Sequence, residues 1–186
     1  ITSKIEHPAV LKTCEELQKQ NFGITYLDVD SEGFISLQDL ENSIKENTML
    51  VSIMHANNEI GTIQDIQKIG EICKKHNIPF HTDAVQSFTK EDINVKKTNI
   101  DLISMSSHKI HGPKGIGALY IKKGTKLKKL TDGGKHEYNL RAGTENVSGA
   151  VGFAKAVRIS NNKDIKHMEN LRDYFMFFAF EASKEE

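Results

Sequence analysis

Two short apolar runs constrain this chain more than any other feature. Ile78-Pro79-Phe80-His81-Thr82-Asp83-Ala84 closes on a carboxylate, and residues 100–105 lead through Ser106-Ser107-His108 to Lys109. Each run is too short for an ordinary globular helix and has the composition and bounds of a buried strand. The distance from Asp83 to Lys109 is about one strand–helix–strand repeat. In an open α/β sheet, groups just past the carboxyl ends of strands converge on one crevice, where ligands bind. An acid, a primary amine, hydroxyls and an imidazole are therefore expected to face one small molecule.

The rest of the chain alternates in the same way. Residues 1–5 read as a strand. Pro8 then opens a helix that carries Val10, Leu11, Cys14 and Leu17 on one face. Residues 24–29 alternate like a strand, residues 30–33 form a turn, and Ser36 with Asp39 marks a helix start whose stripe is Leu37, Leu40 and Ile44. Residues 49–54 read as a buried strand. Thr62 is the expected cap of a helix that buries Ile63, Ile66, Ile69, Ile72 and Cys73. Residues 115–122 pair antiparallel with the strand before them, because too few residues intervene for a helical crossover. Residues 122–129 are a basic, exposed connection. Val147, Ala150, Val151, Ala154 and Val157 mark one helix, and Ile165, Met168 and Leu171 another. Strands alternating with helices predict an α/β fold with a mostly parallel sheet covered on both faces.

Composition narrows the partners. The 186 residues suffice for one domain with a full core. Lysine plus arginine balances aspartate plus glutamate at 25 each, which gives no reason to expect direct nucleic-acid binding or an acidic membrane surface. Cys14 and Cys73 make no disulfide framework, which fits a reducing compartment, so a cytoplasmic location is expected. No apolar run approaches the roughly 20 residues that span a bilayer. The chain opens inside a β-branched run without methionine, so its natural start is expected upstream.

Several residues can carry chemistry. Asp83, at the edge of an apolar strand, can hold a protonated heterocyclic nitrogen or a metal, or can simply cap a helix or pair with a base. Lys109 is either a surface lysine or a partly buried amine suited to Schiff-base chemistry with carbonyls. Ser106, Ser107 and His108 beside it offer a grip for phosphate. The glycines from Gly112 to Gly117 do not have the spacing of a P-loop. His7 is either an ordinary residue at the helix start or a ring that stacks on a planar ligand. Asn57, Asn58 and Gln86 can donate to a ligand oxygen. No histidine or cysteine spacing matches structural zinc.

Taken together, five segments resemble cysteine desulfurases, the pyridoxal-phosphate enzymes of the class V aminotransferase group. They are Glu6-His7-Pro8-Ala9-Val10, His55-Ala56-Asn57-Asn58-Glu59-Ile60-Gly61, His81-Thr82-Asp83-Ala84-Val85-Gln86-Ser87, Ser106-Ser107-His108-Lys109-Ile110-His111-Gly112-Pro113-Lys114-Gly115 and Leu140-Arg141-Ala142-Gly143-Thr144-Glu145-Asn146. The resemblance implies the large domain of that fold: three α/β/α layers around a mostly parallel sheet with one antiparallel strand. It implies pyridoxal 5'-phosphate as cofactor and no metal. Lys109 is implied as the cofactor-bonding, proton-shuttling lysine, Asp83 as partner of the pyridine nitrogen, and His7 as the stacked imidazole with a catalytic part. Asn58 and Gln86 are implied as donors to the ring's phenolic oxygen, Ser106 and His108 as phosphate ligands, and Thr144 as a phosphate ligand lent across a homodimer. L-cysteine is the implied substrate, and a sulfur-acceptor or scaffold protein the implied partner.

The same resemblance shows departures. The family's nucleophilic cysteine and carboxylate-binding arginine lie beyond the last residue here, and its glycine–threonine phosphate loop before the first. Residues 1–173 are thus expected to be a partial large domain, with 174–186 an apolar then charged tail and the small C-terminal domain absent. Cys14 and Cys73, on apolar stripes, read as buried packing residues. Lys135 stands where the family has a third glycine after Gly133-Gly134. The tail Tyr174-Phe175-Met176-Phe177-Phe178-Ala179-Phe180 is apolar on every side, so it is expected to be buried or to aggregate. The chain alone is expected not to complete desulfuration. A selenocysteine lyase or other class V enzyme, and a catalytically dead dimerisation or scaffold domain, are the alternatives.

Overall fold

A computed structural model of the chain describes residues 1–160 and 162–182. Six strands form one sheet: β1 (Thr2–Ser3), β2 (Tyr26–Leu27), β3 (Val51–Ser52), β4 (Phe80–Asp83), β5 (Leu102–Ser106) and β6 (Gly117–Ile121). Their order is β2-β1-β3-β4-β5-β6. All neighbours are parallel except β5 and β6, which pair antiparallel from Leu102↔Ile121 to Ser106↔Gly117. The sheet is thus mostly parallel with one antiparallel pair, as the connection lengths require.

The first four α-helices each begin where a side chain satisfies an otherwise orphaned backbone N–H. In α1 (Pro8–Lys19) the fixed φ of Pro8 suits the first position, and His7 Nδ1 accepts the Ala9 N–H at 3.2 Å. Ser36 Oγ accepts from Asp39 N–H to open α2 (Leu37–Ser43). Asp65 opens α3 (Ile66–Lys75), and Asn146 opens α4 (Val147–Ile159). The last helix, α5, runs Asn162–Ala182 and continues unbroken past Asp173.

Strand parity separates the two faces of the sheet. Val51, Ile53, Phe80 and Ile103 point to one face, where Leu40 of α2 and Ile66, Ile69 and Cys73 of α3 close the main core. The other face carries buried Leu102 and a row of polar residues. Thr2, Ser52, His81 and Ser104 lie across it, with Thr2 Oγ1 donating to the Ser52 carbonyl at 2.8 Å. His81 is held between Ser52 Oγ (2.8 Å) and Ser104 Oγ (2.9 Å). A second, smaller core joins Phe153 and Ala156 of α4 to Ile110, with Phe153 meeting Phe88 edge-on at 6.1 Å.

Three expectations change. Helix α3 starts at Ile66 rather than after Thr62, because residues 62–64 are held extended: Thr62 Oγ1 donates to the Glu32 carbonyl, Ile63 bridges Ala56, and buried Gln64 bonds the Gly33 carbonyl and the Ile35 N–H. Helix α4 does form where Val147, Ala150, Val151, Ala154 and Val157 marked it, with the valines outward and Gly149, Phe153 and Ala156 buried. Cys14 is only half-buried, whereas Cys73 is 1% exposed. The aromatic run of α5 is exposed, with Phe175 at 71% and Phe178 at 52%. Among the described residues, no helix is long and apolar enough to cross a membrane.

Candidate active site

The connection leaving β1 crosses to β2 on one side, while that leaving β3 leads to β4 on the other. This reversal between adjacent strands opens a crevice at their carboxyl ends. Four chain segments meet along that edge: Glu6-His7 after β1, residues 53–58 after β3, Asp83–Gln86 at the end of β4, and Ser106–Lys109 at the end of β5.

Asp83 is fixed from both sides. Its carbonyl accepts the His55 N–H at 2.9 Å, and it sits opposite Ser104, whose carbonyl accepts the Ala84 N–H at 3.0 Å. The carboxylate is half-buried, and its Oδ1 takes the Val85 N–H at 2.9 Å, turning the chain away from the sheet. His81, two residues earlier on the same face, is pushed down by burial, with the Asp83 charge opposing that shift. Gln86 is half-buried in the turn that follows. Ser87 beside it is buried and bonds His55 Nδ1 at 2.9 Å.

Lys109 rides on a single 3-10 turn, Ser107–Ile110. Buried Ile110 anchors this turn against Phe153, and the turn ends on His111 with φ of 63°. Helix α4 leans directly on the segment that follows: a Cβ at Gly112 would lie 2.2 Å from Ser107 Oγ and 3.1 Å from Ala156 Cβ. Lys109 is half-buried, and Ser106 Oγ lies 2.7 Å from His108 Nδ1. Strands in a sheet stand about 4.8 Å apart, so Asp83 and Lys109 reach one edge from neighbouring strand ends.

The asparagine pair divides its work. Asn57 is buried: its Oδ1 accepts the Glu59 and Ile60 N–H groups at 2.8 and 3.0 Å, and its Nδ2 donates to the Ile5 carbonyl at 2.8 Å. Asn58 is exposed at the edge. His7 is exposed and caps α1, so the helix-start role is realised in its side chain. Thr144 stands apart, on the exposed loop before α4, and no hydrogen bond among the described residues joins it to the strand-edge group.

Two residues at this edge received no role in the sequence reading. Glu6 is 3% exposed, and burial, with the Asp83 charge adding to it, raises its carboxyl to about 7. Lys90 is half-buried, and its amine is pushed down first by burial and then by the Lys109 charge, which marks the two lysines as neighbours. Neither is identifiable from periodicity, since a motif position and a loop lysine carry no burial signal of their own. Burial raises both thiols, Cys73 to about 12.

Comparison with known proteins agrees with this arrangement. The family model described as Aminotransferase class-V matches residues 1–181. A cysteine desulfurase IscS from Dictyoglomus turgidum is 52% identical over 179 residues, covering 95% of this chain and 45% of that protein. The Clostridium botulinum (strain Hall) protein of the same name is 54% identical over 175 residues, covering 92% and 44%. The chain therefore spans about half the length of the curated relatives it matches. Among solved structures, a NifS-like protein superposes with a TM-score of 0.91 at 44% identity, covering 97% of this chain and 51% of that one. A structure described as SspA in complex with cysteine gives 0.84 at 48% identity, covering 86% and 46%. With a profile match along nearly its whole length and a matching fold, this chain belongs to the class V aminotransferase family.

Proposed function

We propose that this chain forms the pyridoxal-phosphate-binding core of a cysteine desulfurase, acting in the cytoplasm as a homodimer on L-cysteine. One observation carries this reading: Asp83 ends β4, and half-buried Lys109 rides the turn just past the end of its neighbour β5, at the sheet edge beside the switch point. The donor set there fits the cofactor. A carboxylate, a primary amine, a hydroxyl–imidazole pair and two side-chain amides match a ring nitrogen, an aldehyde, a phosphate and a phenolic oxygen, in that order.

The residues divide the task. Asp83 keeps a proton on the ring nitrogen. Lys109 Nζ would hold the cofactor's aldehyde group and, once the substrate's amine has displaced it, would move the substrate's α-proton. Ser106 Oγ and His108 hold phosphate oxygens, joined by Thr144 from the partner protomer. His7 covers the ring face, while Asn58 and Gln86 donate to the phenolic oxygen. The bound cofactor supplies an electron sink for the substrate's α-carbon. The SspA structure holding cysteine supports that substrate class. Thiols raised as Cys14 and Cys73 are do not suit nucleophilic attack on sulfur. This chain alone is therefore proposed to release no alanine from cysteine, the sulfur passing to an acceptor protein only from a nucleophile elsewhere.

Titration with pyridoxal phosphate tests the reading. The wild type should develop a new visible absorbance band that Lys109→Ala lacks. Equal spectra from both proteins would overturn it. The exposed aromatic run of α5 favours a second reading, a partner-binding scaffold, which predicts no band from either protein.

A further inference from the structure

The backbone ladder between β1 and β3 stops early. The two strands pair at Thr2↔Ser52, with Ser52 N–H donating to the Ile1 carbonyl at 2.9 Å. Beyond it β1 stays paired with β2 alone, Lys4 N–H donating to the Leu27 carbonyl at 3.0 Å as Thr2 N–H does to Thr25. This is the switch point, where the strands must part for the crevice to open. Two side chains take over where the ladder ends. Glu6 Oε1, on the β1 side, accepts the Met54 N–H on the β3 side at 2.9 Å, while also taking the Ser3 hydroxyl at 2.7 Å. Asn57 Nδ2, on the β3 side, donates to the Ile5 carbonyl on the β1 side at 2.8 Å. The two bonds run in opposite directions across the gap, and both side chains are over nine-tenths buried. His7 follows Glu6, and Asn58 follows Asn57.

We propose that Glu6 and Asn57 are positioning residues: they form a reciprocal clasp across the switch point that sets the gap between His7 and Asn58. The inference rests on the reading of this edge as the cofactor site. The clasp explains why one asparagine of the pair is buried and the other exposed. Both contacts to Glu6 go through Oε1, while Oε2 is buried without a hydrogen-bond partner among the described residues. Glu6 meets Met54 and Ser3 through one oxygen, and burial makes its carboxyl hold its proton more tightly than in water. The other titratable groups that act on Glu6 or feel its charge are Asp83 at the end of β4 and the Cys14 thiol on α1.

The test compares wild type with Glu6→Ala, Glu6→Gln and Asn57→Ala. In cofactor-free protein, the Met54 amide should exchange with solvent at least tenfold faster in Glu6→Ala and stay protected in Glu6→Gln, which keeps the acceptor oxygen. The apparent Kd for pyridoxal phosphate should rise at least tenfold in Glu6→Ala and Asn57→Ala, with Glu6→Gln within threefold of wild type. Leu40→Ala, a truncation in the core on the other sheet face, should lower stability without moving the Kd of the folded fraction. Unchanged Met54 exchange in Glu6→Ala, or a Glu6→Gln protein as weak as Glu6→Ala, would overturn the clasp. Should Glu6→Ala fail to fold, Asn57→Ala and the Glu6→Gln rescue decide. A wild type that takes up no cofactor would sink the function reading, while Met54 exchange would still decide the clasp.

Discussion

At the scale of single residues, protonation governs this edge. A carboxyl group raised on folding binds its proton more tightly in the folded chain than in the unfolded one. For Glu6, raised from 4.5 to about 7, the folded state holds the extra proton between those values, so stability falls as pH rises through that window and levels off above it. The full loss is on the order of 3 kcal/mol. The difference in unfolding free energy between wild type and Glu6→Gln should therefore shift by about that much from pH 4.5 to pH 7.5, to the wild type's cost. A flat difference would show that Glu6 ionises freely. His55 and His81 act on the acid side: burial lowers both, so their contributions are lost as pH falls below about 6.5. Sequence alone marked Asp83 and Lys109, because a strand's end and the residue past it are readable from pattern. The resemblance singled out Asn58, but nothing in the sequence gave Asn57 or Glu6 a structural role, because those roles depend on which backbone groups lie across a gap between strands far apart in the chain.

At the scale of elements, the seating of Lys109 depends on α4. The 3-10 turn is short, has no side-chain cap, and is held by Ile110 against Phe153 and Phe88. Phe153→Ala should cost about 3–5 kcal/mol in urea unfolding and speed proteolytic cleavage within residues 111–116. Val151→Ala, on the outward face of the same helix, should cost under about 1 kcal/mol. Equal costs would mean that the helix is not seated as described. Helix existence was readable here from apolar spacing, but the seated face was not: the valine stripe is the more regular pattern, yet the glycine and alanine positions permit close approach. A Cβ at Gly152 would lie 2.5 Å from Pro113, so α4 packs through its small residues. The start of α3 was misplaced for a related reason. Thr62 has the chemistry of a cap, but a carbonyl thirty residues earlier in the chain takes its hydroxyl, and Asp65 caps instead.

At the scale of the whole molecule, a mostly parallel sheet has one face sealed by α2 and α3, a row of polar residues on the opposite face, and outward apolar residues on α4 and α5. The alternation of strands and helices made the fold class legible, and the short connection before β6 made its antiparallel pairing legible. The order β2-β1-β3 was not legible, because it depends on the direction of each crossover, which local pattern does not encode. That order puts the switch point between β1 and β3 and draws the four segments to one edge. The central claim is that this edge is a cofactor site built around a single amine. Incubation with pyridoxal phosphate, reduction with borohydride and mass mapping of the labelled peptides tests it directly. Label confined to Lys109 is the predicted result, and label on Lys90 or spread over the surface lysines would contradict it.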